Sequence, residues 1–325
     1  MTPIAVIGAG SWGTALALVL ARNGSPTRLW DINESLVASL KKDRCNLAYD
    51  IPEKFPDSLE VFESLESLLA DVQDVLIVVP SHVFVRVCQT IQPLLPANVR
   101  LAWATKGFAP TPPYFLDYFV GEIFSKDTPM ALLCGPSFAK EVAAEQPTAI
   151  NLTGNNEAFI ESLLKRFVCR NFRLQRRADL VGIQLCTVTK NILAIAAGIC
   201  DGLGYAANTR SAMLAKGLQE TQRLILAVGG KADTILSLAG VGDTILTCTD
   251  NQSRNRRFGL ALGRGGHIVQ AKKDIGQAVE GYDNVKQLQE IANQHQLILP
   301  IFNGMYRYFY ADLSLEKLAD IFISV

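Results

Sequence analysis

Between Thr247 and Gly259 the chain reads TCTDNQSRNRRFG, with three arginines, two asparagines, a glutamine and a serine, and no aliphatic side chain. Such a run is either a solvated basic loop or a site for an anion. Phosphate is the anion it suits best, because a guanidinium meets two phosphate oxygens at once while amides and hydroxyls add single hydrogen bonds. A second candidate is Lys190, inside LVGIQLCTVTKNILAIAAGIC, whose neighbours at helical spacing are Cys186, Thr187, Leu193 and Ala194. Those residues do not make a solvated face. Either the ammonium loses hydration, which favours its neutral form and lets it exchange a proton near neutrality, or the side chain snorkels to water. Asn191 follows directly, and GICDGLG closes the helix with small, flexible residues. Asp243, in AGVGDTILTC, is a turn former or a partner for the Lys190 ammonium, and sequence spacing leaves both open.

The third group lies at the start. Ile4 to Ile7 is a short, continuously apolar run, as in a strand buried on both faces. It leads into Gly8-Ala-Gly10-Ser-Trp-Gly13, a helical stretch from Thr14 to Arg22, and a stop at Asn23-Gly24. A second short strand, Thr27 to Trp30, ends at Asp31. G-x-G-x-x-G between a strand and a helix, with an acid about twenty residues on, is the context of a dinucleotide site. Gly8 permits the tight turn, Gly10 lets backbone approach a pyrophosphate, and Gly13 lets the helix pack on the sheet, with its N-terminus facing the phosphates. Asp31 would accept hydrogen bonds from the adenosine ribose and repel a 2′-phosphate, which tilts the cofactor toward NAD(H) over NADP(H). Arg28, or an arginine of the 254–257 cluster, would still allow some use of NADP(H).

These groups need elements to hold them. Val75 to Pro80, Val99 to Lys106, Met130 to Gly135 and Thr148 to Thr153 read as further buried strands, with helical patterns between them such as Val83 to Leu95. Alternating strands and helices with unbroken apolar strands imply a parallel, doubly wound α/β domain over residues 1–180. Ligands then sit beyond the C-terminal strand ends, at Gly8 to Gly13, Pro80-Ser81-His82, Thr105-Lys106-Gly107 and Gly135-Pro-Ser137. From 181 to 325 the pattern is helical: Leu180 to Cys200, Ser211 to Val228, YDNVKQLQEIANQHQ and SLEKLADIFIS. That region reads as a mainly α-helical substrate and catalytic domain.

The totals set limits. At 325 residues, 49% hydrophobic and 19% charged, the chain can bury two cores. Lys plus Arg equals Asp plus Glu at 31 each, a balance unlike that of a nucleic-acid binder. The opening MTPIAVIGAG leaves no room for a secretory signal, and runs such as ILAIAAGI are shorter than the ~20 residues that span a bilayer. Seven cysteines without a C-x-x-C pair, and three scattered histidines, fit reduced thiols in a cytoplasmic protein without a metal centre.

Seven blocks in order carry a resemblance: GAGSWGTALA, VVPSHVF, WATKG, GPSFAKEVA, LCTVTKNILAIAAG, GDTILTCTDNQSRNRRFG and EGY at Glu280 to Tyr282. Over essentially its whole length the chain resembles the NAD(P)-dependent glycerol-3-phosphate dehydrogenases of the soluble bacterial type. The resemblance implies reversible reduction of dihydroxyacetone phosphate to sn-glycerol 3-phosphate, the backbone of glycerophospholipids. It implies Lys190 as general acid, with Lys106 and Asp243 completing the polar cluster. Gly135, Ser137, Asn191, Ser253, Arg254 and Asn255 would meet the substrate. Ser11, Trp12, Ile32, Lys106, Ala139, Arg254, Ala278 and Glu280 would join Gly8, Gly10, Gly13 and Asp31 in holding the cofactor. It further implies a homodimer acting on a small phosphate ester, without membrane insertion.

Two rivals are compatible with parts of the pattern. A two-domain hydroxy-acid dehydrogenase would use Arg254 for a carboxylate, but has less use for so many donors beside it. A non-catalytic nucleotide sensor would need the glycines and Asp31, and would have no use for Lys190, Lys106 and Asp243 together. His82 and Trp103 have no assigned role, Arg256 and Arg257 serve phosphate or pair with acids, and Tyr306 to Tyr310 is core or interface.

Overall fold

The structure is a computed structural model that describes residues 2–324. The chain divides into two units, Met1–Leu180 and Val181–Val325.

In the first unit, Ile4–Ile7 (β1) is buried at every residue, as are Asp74–Ile77 (β4) and Met130–Cys134 (β6). Helices cover both faces of such strands, so no polar alternation is needed. With Thr27–Trp30 (β2), Leu59–Val61 (β3), Arg100–Trp103 (β5), Thr148–Gly154 (β7) and Phe172–Arg176 (β8) they form one eight-stranded sheet in the order β3-β2-β1-β4-β5-β6-β7-β8. The strands from β3 to β6 are parallel. The order reverses beside β1, between β2 and β4, which makes the end of β1 a topological switch point. The doubly wound arrangement is therefore present, with one departure: β7 runs antiparallel to β6, and β8 follows β7.

Both edge strands escape the apolar pattern. Only three residues of β3 are strand, and β8, FRLQR, is mostly solvent-facing. Charged and short edge strands discourage pairing with another chain, and the same property hides them from a hydrophobicity scan.

Seven helices accompany the sheet: α1 (Ser11–Arg22), α2 (Glu34–Asp43), α3 (Leu65–Leu69), α4 (Ser81–Ile91), α5 (Leu116–Ile123), α6 (Ala139–Ala143) and α7 (Glu157–Phe167). Helix α1 ends at the Asn23-Gly24 stop, where Gly24 takes φ +79°. Asp74 lies fully buried at the start of β4. Its carboxylate accepts a bidentate pair from Arg100 of β5, at 2.5 and 2.7 Å, and meets Arg166 of α7 at 2.9 Å. Burial pulls the Arg166 guanidinium down from its ordinary pKa, and Asp74 opposes that shift.

The second unit is built from α8 (Leu180–Gly202), α9 (Ala207–Ala227), α10 (Asp243–Thr249), α11 (Arg254–Gly263), α12 (Ile268–Ile275), α13 (Glu280–Gln294), α14 (Pro300–Tyr310) and α15 (Leu315–Ile323). By length and mean hydropathy, 1.6, α8 would suit a membrane, yet 89% of that window is buried inside the protein. A core helix meets the same criteria, because it too must be apolar on all sides.

Helix α8 ends inside GICDGLG as expected, at Gly202, but the glycines before that point have a further role. Gly198 and Gly202 form a contact face. A Cβ on Gly198 would lie 2.1 Å from the Arg256 carbonyl oxygen, and one on Gly202 2.6 Å from that of Leu260. Across the crossing, a Cβ on Gly259 would lie 2.0 Å from the Ile195 oxygen and one on Gly263 2.4 Å from that of Ile199. Two pairs of glycines, each spaced by four, thus bring α8 and α11 into backbone contact.

Replacing Asp74 by alanine leaves two guanidiniums, one of them buried, without their carboxylate. We expect a loss of about 3–5 kcal/mol of unfolding free energy, the usual cost of breaking a buried pair from one side. Urea unfolding measures it, and a change below about 1 kcal/mol would mean that the two arginines find other partners.

Candidate functional site

In the first unit the candidate residues begin at the β1–α1 turn. Gly8 takes φ +105°, and a Cβ there would meet the Val78 carbonyl oxygen at 2.3 Å. A Cβ on Gly13 would lie 1.8 Å from the Gly8 oxygen. At Gly10 the same construction meets nothing within 4 Å. The first and third glycines are therefore required by the protein's own backbone, while the second faces open space. Gly10 caps α1 without a side-chain hydrogen bond, and no acid stands in the first turn. The Ser11 and Trp12 end of α1 thus offers backbone N–H groups and a positive dipole to an anion.

Asp31 leaves β2 beside this turn. Its Oδ2 accepts the Ala9 N–H at 2.7 Å and its Oδ1 the Asn33 N–H at 3.0 Å. Asn33 in turn caps α2 by accepting from the Leu36 N–H. The carboxylate is thus fixed at the lip of the glycine turn, with acceptor capacity left on each oxygen. Ile32 next to it is exposed. The buried Trp12 indole Nε1 has no hydrogen-bond partner in the protein. An open cradle over Gly10, an uncapped helix start and a carboxylate at the lip fit a dinucleotide.

Arg28 is turned toward the end of α3. Its guanidinium donates to the Leu68 and Ala70 carbonyls at the end of α3, at 3.1 and 2.6 Å, and lies over the Phe62 ring. Lys41 is paired with Glu63 at 2.6 Å, and Arg44 donates to the Phe55 and Pro56 carbonyls.

At the ends of β5 and β6, Lys106 Nζ donates to the Gly135 carbonyl at 3.5 Å, and Ser137 Oγ donates to the same oxygen at 3.0 Å. Gly135 is pressed against Ile150, so that a Cβ would sit 2.9 Å from its Cα. Ala139 opens α6 just beyond. His82 is exposed in the first turn of α4, while Trp103 is fully buried against Phe84.

In the second unit the candidate residues centre on Lys190, which is 4% exposed. The ammonium does not snorkel: Nζ lies 2.8 Å from Asp243 Oδ2 and donates to Thr247 Oγ1 at 3.1 Å. Thr247 Oγ1 donates onward to Asp243 Oδ1 at 3.1 Å. Asp243 is thus the partner of the lysine and not only a turn former, and Thr247, read only as part of a polar run, links the two. Burial disfavours the ammonium and the adjacent carboxylate favours it. Cys248 packs behind, its Sγ 4.0 Å from the Lys190 carbonyl oxygen, and burial pushes its thiol far above the ordinary range. Burial raises the Cys88 and Cys200 thiols to about 12. Six of the seven cysteines are buried, and Cys169 is half-buried.

The run TCTDNQSRNRRFG is neither a loop nor wholly solvated. It is the end of α10, a turn, and the first turns of α11. Ser253 is the α11 N-cap and accepts the Arg256 N–H at 3.2 Å, which leaves its hydroxyl proton for another partner. Ser253, Asn255 and Arg256 are buried, whereas Arg254 and Arg257 are exposed. Arg254 reaches Gln277 Oε1 at 2.8 Å. Arg256 pairs with Asp201 at 2.7 Å, and Asp201 also holds Arg210 at 2.5 Å. Asn255 Nδ2 donates to Asn191 Oδ1 at 3.1 Å, and Asn191 Nδ2 donates to Glu280 Oε2 at 3.3 Å. Ala278 is exposed just before α13. In the tyrosine run, Phe309 is buried, Tyr306 and Tyr308 are half-buried, and Tyr310 is exposed with its ring tilted against that of Tyr282.

Residues 3–160 match the family model of the NAD-dependent glycerol-3-phosphate dehydrogenase N-terminus, and residues 179–320 match that of the C-terminus. This chain belongs to that family. It is 44% identical over 319 residues to a glycerol-3-phosphate dehydrogenase [NAD(P)+] of Tolumonas auensis, covering 97% of this chain and 95% of the relative. A Coxiella burnetii enzyme of the same name is 45% identical over 315 residues, covering 97% and 94%. The crystal structure of glycerol-3-phosphate dehydrogenase from Coxiella burnetii superimposes with a TM-score of 0.94 at 44% identity, over 98% of each chain. The chain is accordingly an NAD(P)-dependent oxidoreductase of the dihydroxyacetone phosphate and sn-glycerol 3-phosphate couple.

Replacing Gly13 by alanine forces α1 away from the Gly8 carbonyl and opens the anion cradle. We expect NADH affinity to fall by about tenfold or more, since the phosphates then lose backbone N–H groups and dipole together. Titration by nucleotide fluorescence measures it, and an unchanged dissociation constant would show that the turn is not the pyrophosphate site.

Proposed function

We propose that the protein reduces dihydroxyacetone phosphate to sn-glycerol 3-phosphate with NADH, and that Lys190 gives the proton. The observation that carries this reading is the buried Lys190–Asp243–Thr247 cluster. A ketone reduced by two electrons needs one proton at its oxygen, and a buried ammonium held charged by a carboxylate is placed to supply it. The reduced nicotinamide supplies the hydride to the ketone carbon. In the reverse direction the neutral amine takes the alcohol proton, and Asp243 stabilises the ammonium that forms.

The phosphate end of the substrate is assigned to the start of α11. There the Ser253 hydroxyl, the exposed Arg254 guanidinium and the Asn255 amide join the positive end of the helix dipole. Lys106, Gly135 and Ser137 are the unit-1 groups assigned to the substrate; Asn191, which the resemblance groups with them, is left out of this assignment because its amide is already bonded to Thr187, Glu280 and Asn255. Gly8, Gly10, Ser11, Trp12, Gly13, Asp31, Ile32, Lys106, Ala139, Arg254, Ala278 and Glu280 are assigned to the cofactor. Residues 1–180 thus serve nucleotide binding, and residues 181–325 serve substrate and proton chemistry. The product feeds glycerophospholipid synthesis, and a cytoplasmic homodimer is the form in which we place the enzyme.

NADH preference follows from charge. A 2′-phosphate would face the Asp31 carboxylate, while Arg28, Lys41 and Arg44 are already bonded to carbonyls or to Glu63. We expect kcat/KM for NADH to exceed that for NADPH by about tenfold or more, with the gap narrowed by Asp31→Ser. Unpaired like charges across a binding contact are costly on this scale. Parallel initial rates with dihydroxyacetone phosphate read the ratio directly, and equal values for the two cofactors would remove Asp31 from this role.

Lys190→Ala should lower kcat by about a hundredfold or more, the range of a lost general acid, while NADH affinity stays within a factor of about three. Single-turnover rates and nucleotide titration separate the two effects. Turnover at the wild-type level would overturn the assignment.

A further inference from the structure

Four residues of three helices in unit 2 close a ring of hydrogen bonds. The Gly281 N–H donates to Asn255 Oδ1 at 3.0 Å; Asn255 Nδ2 donates to Asn191 Oδ1 at 3.1 Å; Asn191 Nδ2 donates to Glu280 Oε2 at 3.3 Å. Glu280 is bonded covalently to Gly281, so the chain of donors returns to its start. The direction around the ring is not a choice. A backbone N–H can only donate and a backbone carbonyl can only accept, so the Gly281 N–H at one end and the Thr187 carbonyl at the other leave both amides one orientation consistent with their neighbours. Asn191 Nδ2 donates to that Thr187 carbonyl at 3.2 Å.

The ring uses most of what Asn191 has. Both amide hydrogens are committed, to Glu280 and Thr187, and the amide oxygen holds Asn255. Asn191 is 4% exposed and Asn255 8%. Gly281 is required for the contact: a Cβ there would stand 2.6 Å from the Asn191 carbonyl oxygen and 2.7 Å from its carbon. Asn191 is the chain neighbour of Lys190, and Asn255 is the neighbour of Arg254. The ring therefore joins the helix of the proton donor, the first turn of the phosphate helix and the start of α13.

We propose that Asn191 and Gly281 are positioning residues, which act through this ring to hold the α8 turn carrying Lys190 in register with the start of α11, and that Asn191 does not touch the substrate. The proposal rests on Lys190 as proton donor, and Lys190→Ala tests that separately: if that variant turned over normally, the proton-donor reading would fail whatever the ring variants did.

Asn191→Asp is nearly isosteric, still accepts from Asn255, and can no longer donate to Glu280. Gly281→Ala removes no polar side chain and separates α13 from α8. Each should lower kcat by about tenfold or more, since displacements of about 1 Å remote from the chemistry have costs of this order, while KM for dihydroxyacetone phosphate changes less than about threefold. Because both open the same ring, the double variant should be no worse than the poorer single one within about threefold. A KM that rises with the loss of kcat in Asn191→Asp, or effects that multiply in the double variant, would assign Asn191 to substrate contact and overturn the proposal. Hydrogen exchange in the wild-type protein gives a test that no folding failure can obscure. Gly281 is the second residue of α13, where an N–H ordinarily lacks a helical acceptor. The ring requires its exchange to be as slow as in the helix interior, and fast exchange would equally overturn it.

Discussion

An ammonium group inside an apolar helical core is tolerable only if its charge is met, and the second unit is arranged around that constraint. Lys190 lies on a helix buried along nearly its whole length, so neither water nor its own helix can supply a counter-charge. Asp243 and Thr247 do so from α10, one turn apart, with Thr247 accepting from the lysine and donating to the aspartate. Their placement depends on the turn before them. Residues Leu238–Gly242 form a wide π-type turn, Ser237 Oγ accepts the Gly240 N–H, and Gly240 is pressed so close to the Ile235 carbonyl that a Cβ would lie 2.2 Å from it. Gly240 of AGVG thus helps to position the counter-charge, in addition to any flexibility it gives. A half-satisfied buried charge would cost several kcal/mol, which is why the turn, the aspartate and the threonine form one device.

The first unit answers a different constraint. Its strands are apolar on both faces and offer no chemistry of their own, so polar function collects where strands end. The sheet order reverses beside β1, and that opening receives a glycine turn whose first and third glycines are dictated by carbonyl oxygens of the protein itself. Only Gly10 faces outward into space. The motif therefore separates into a structural part, which would be needed without any ligand, and one position whose missing side chain serves a ligand alone. Asp31 couples the two parts, since the carboxylate that orders the turn through the Ala9 N–H also defines the charge at its lip.

Much of this was legible in the sequence where the determining interactions are local. The run IAVIGAGSWG carries strand, turn and helix within ten residues, and the neighbours of Lys190 at helical spacing marked an unsolvated face while leaving snorkelling open. What escaped was non-local or polar. Lys190 and Asp243 are fifty-three positions apart, and no spacing rule joins them. The strands β3 and β8 lack the apolar signature because edges are kept short or charged. The sequence does not show that the Arg28 guanidinium turns to the carbonyls at the end of α3. The glycines of GICDG read as a loose helix end, although GLALG in α11 repeats the same spacing. Two such pairs are the signature of a close helix crossing, and that signal was present to be found.

The adjacent pair Lys190-Asn191 shows why a long buried helix suits this chemistry. Successive residues on a helix point about 100° apart, so these two side chains must enter different neighbours. Lys190 turns to α10 and its carboxylate; Asn191 turns to α11 and α13 and their amide ring. One segment of backbone thereby fixes Lys190 relative to the helix that begins at Ser253. Helix α11 cannot slide to compensate, because Gly259 and Gly263 seat it on the carbonyls of Ile195 and Ile199 of that same helix. Lys190 and the start of α11 are therefore held by α8 at three levels of its length: the Lys190 pair, the Asn191 ring and the glycine crossing. A side chain added at any one of them is transmitted to the other two through a helix that has no soft joint between them.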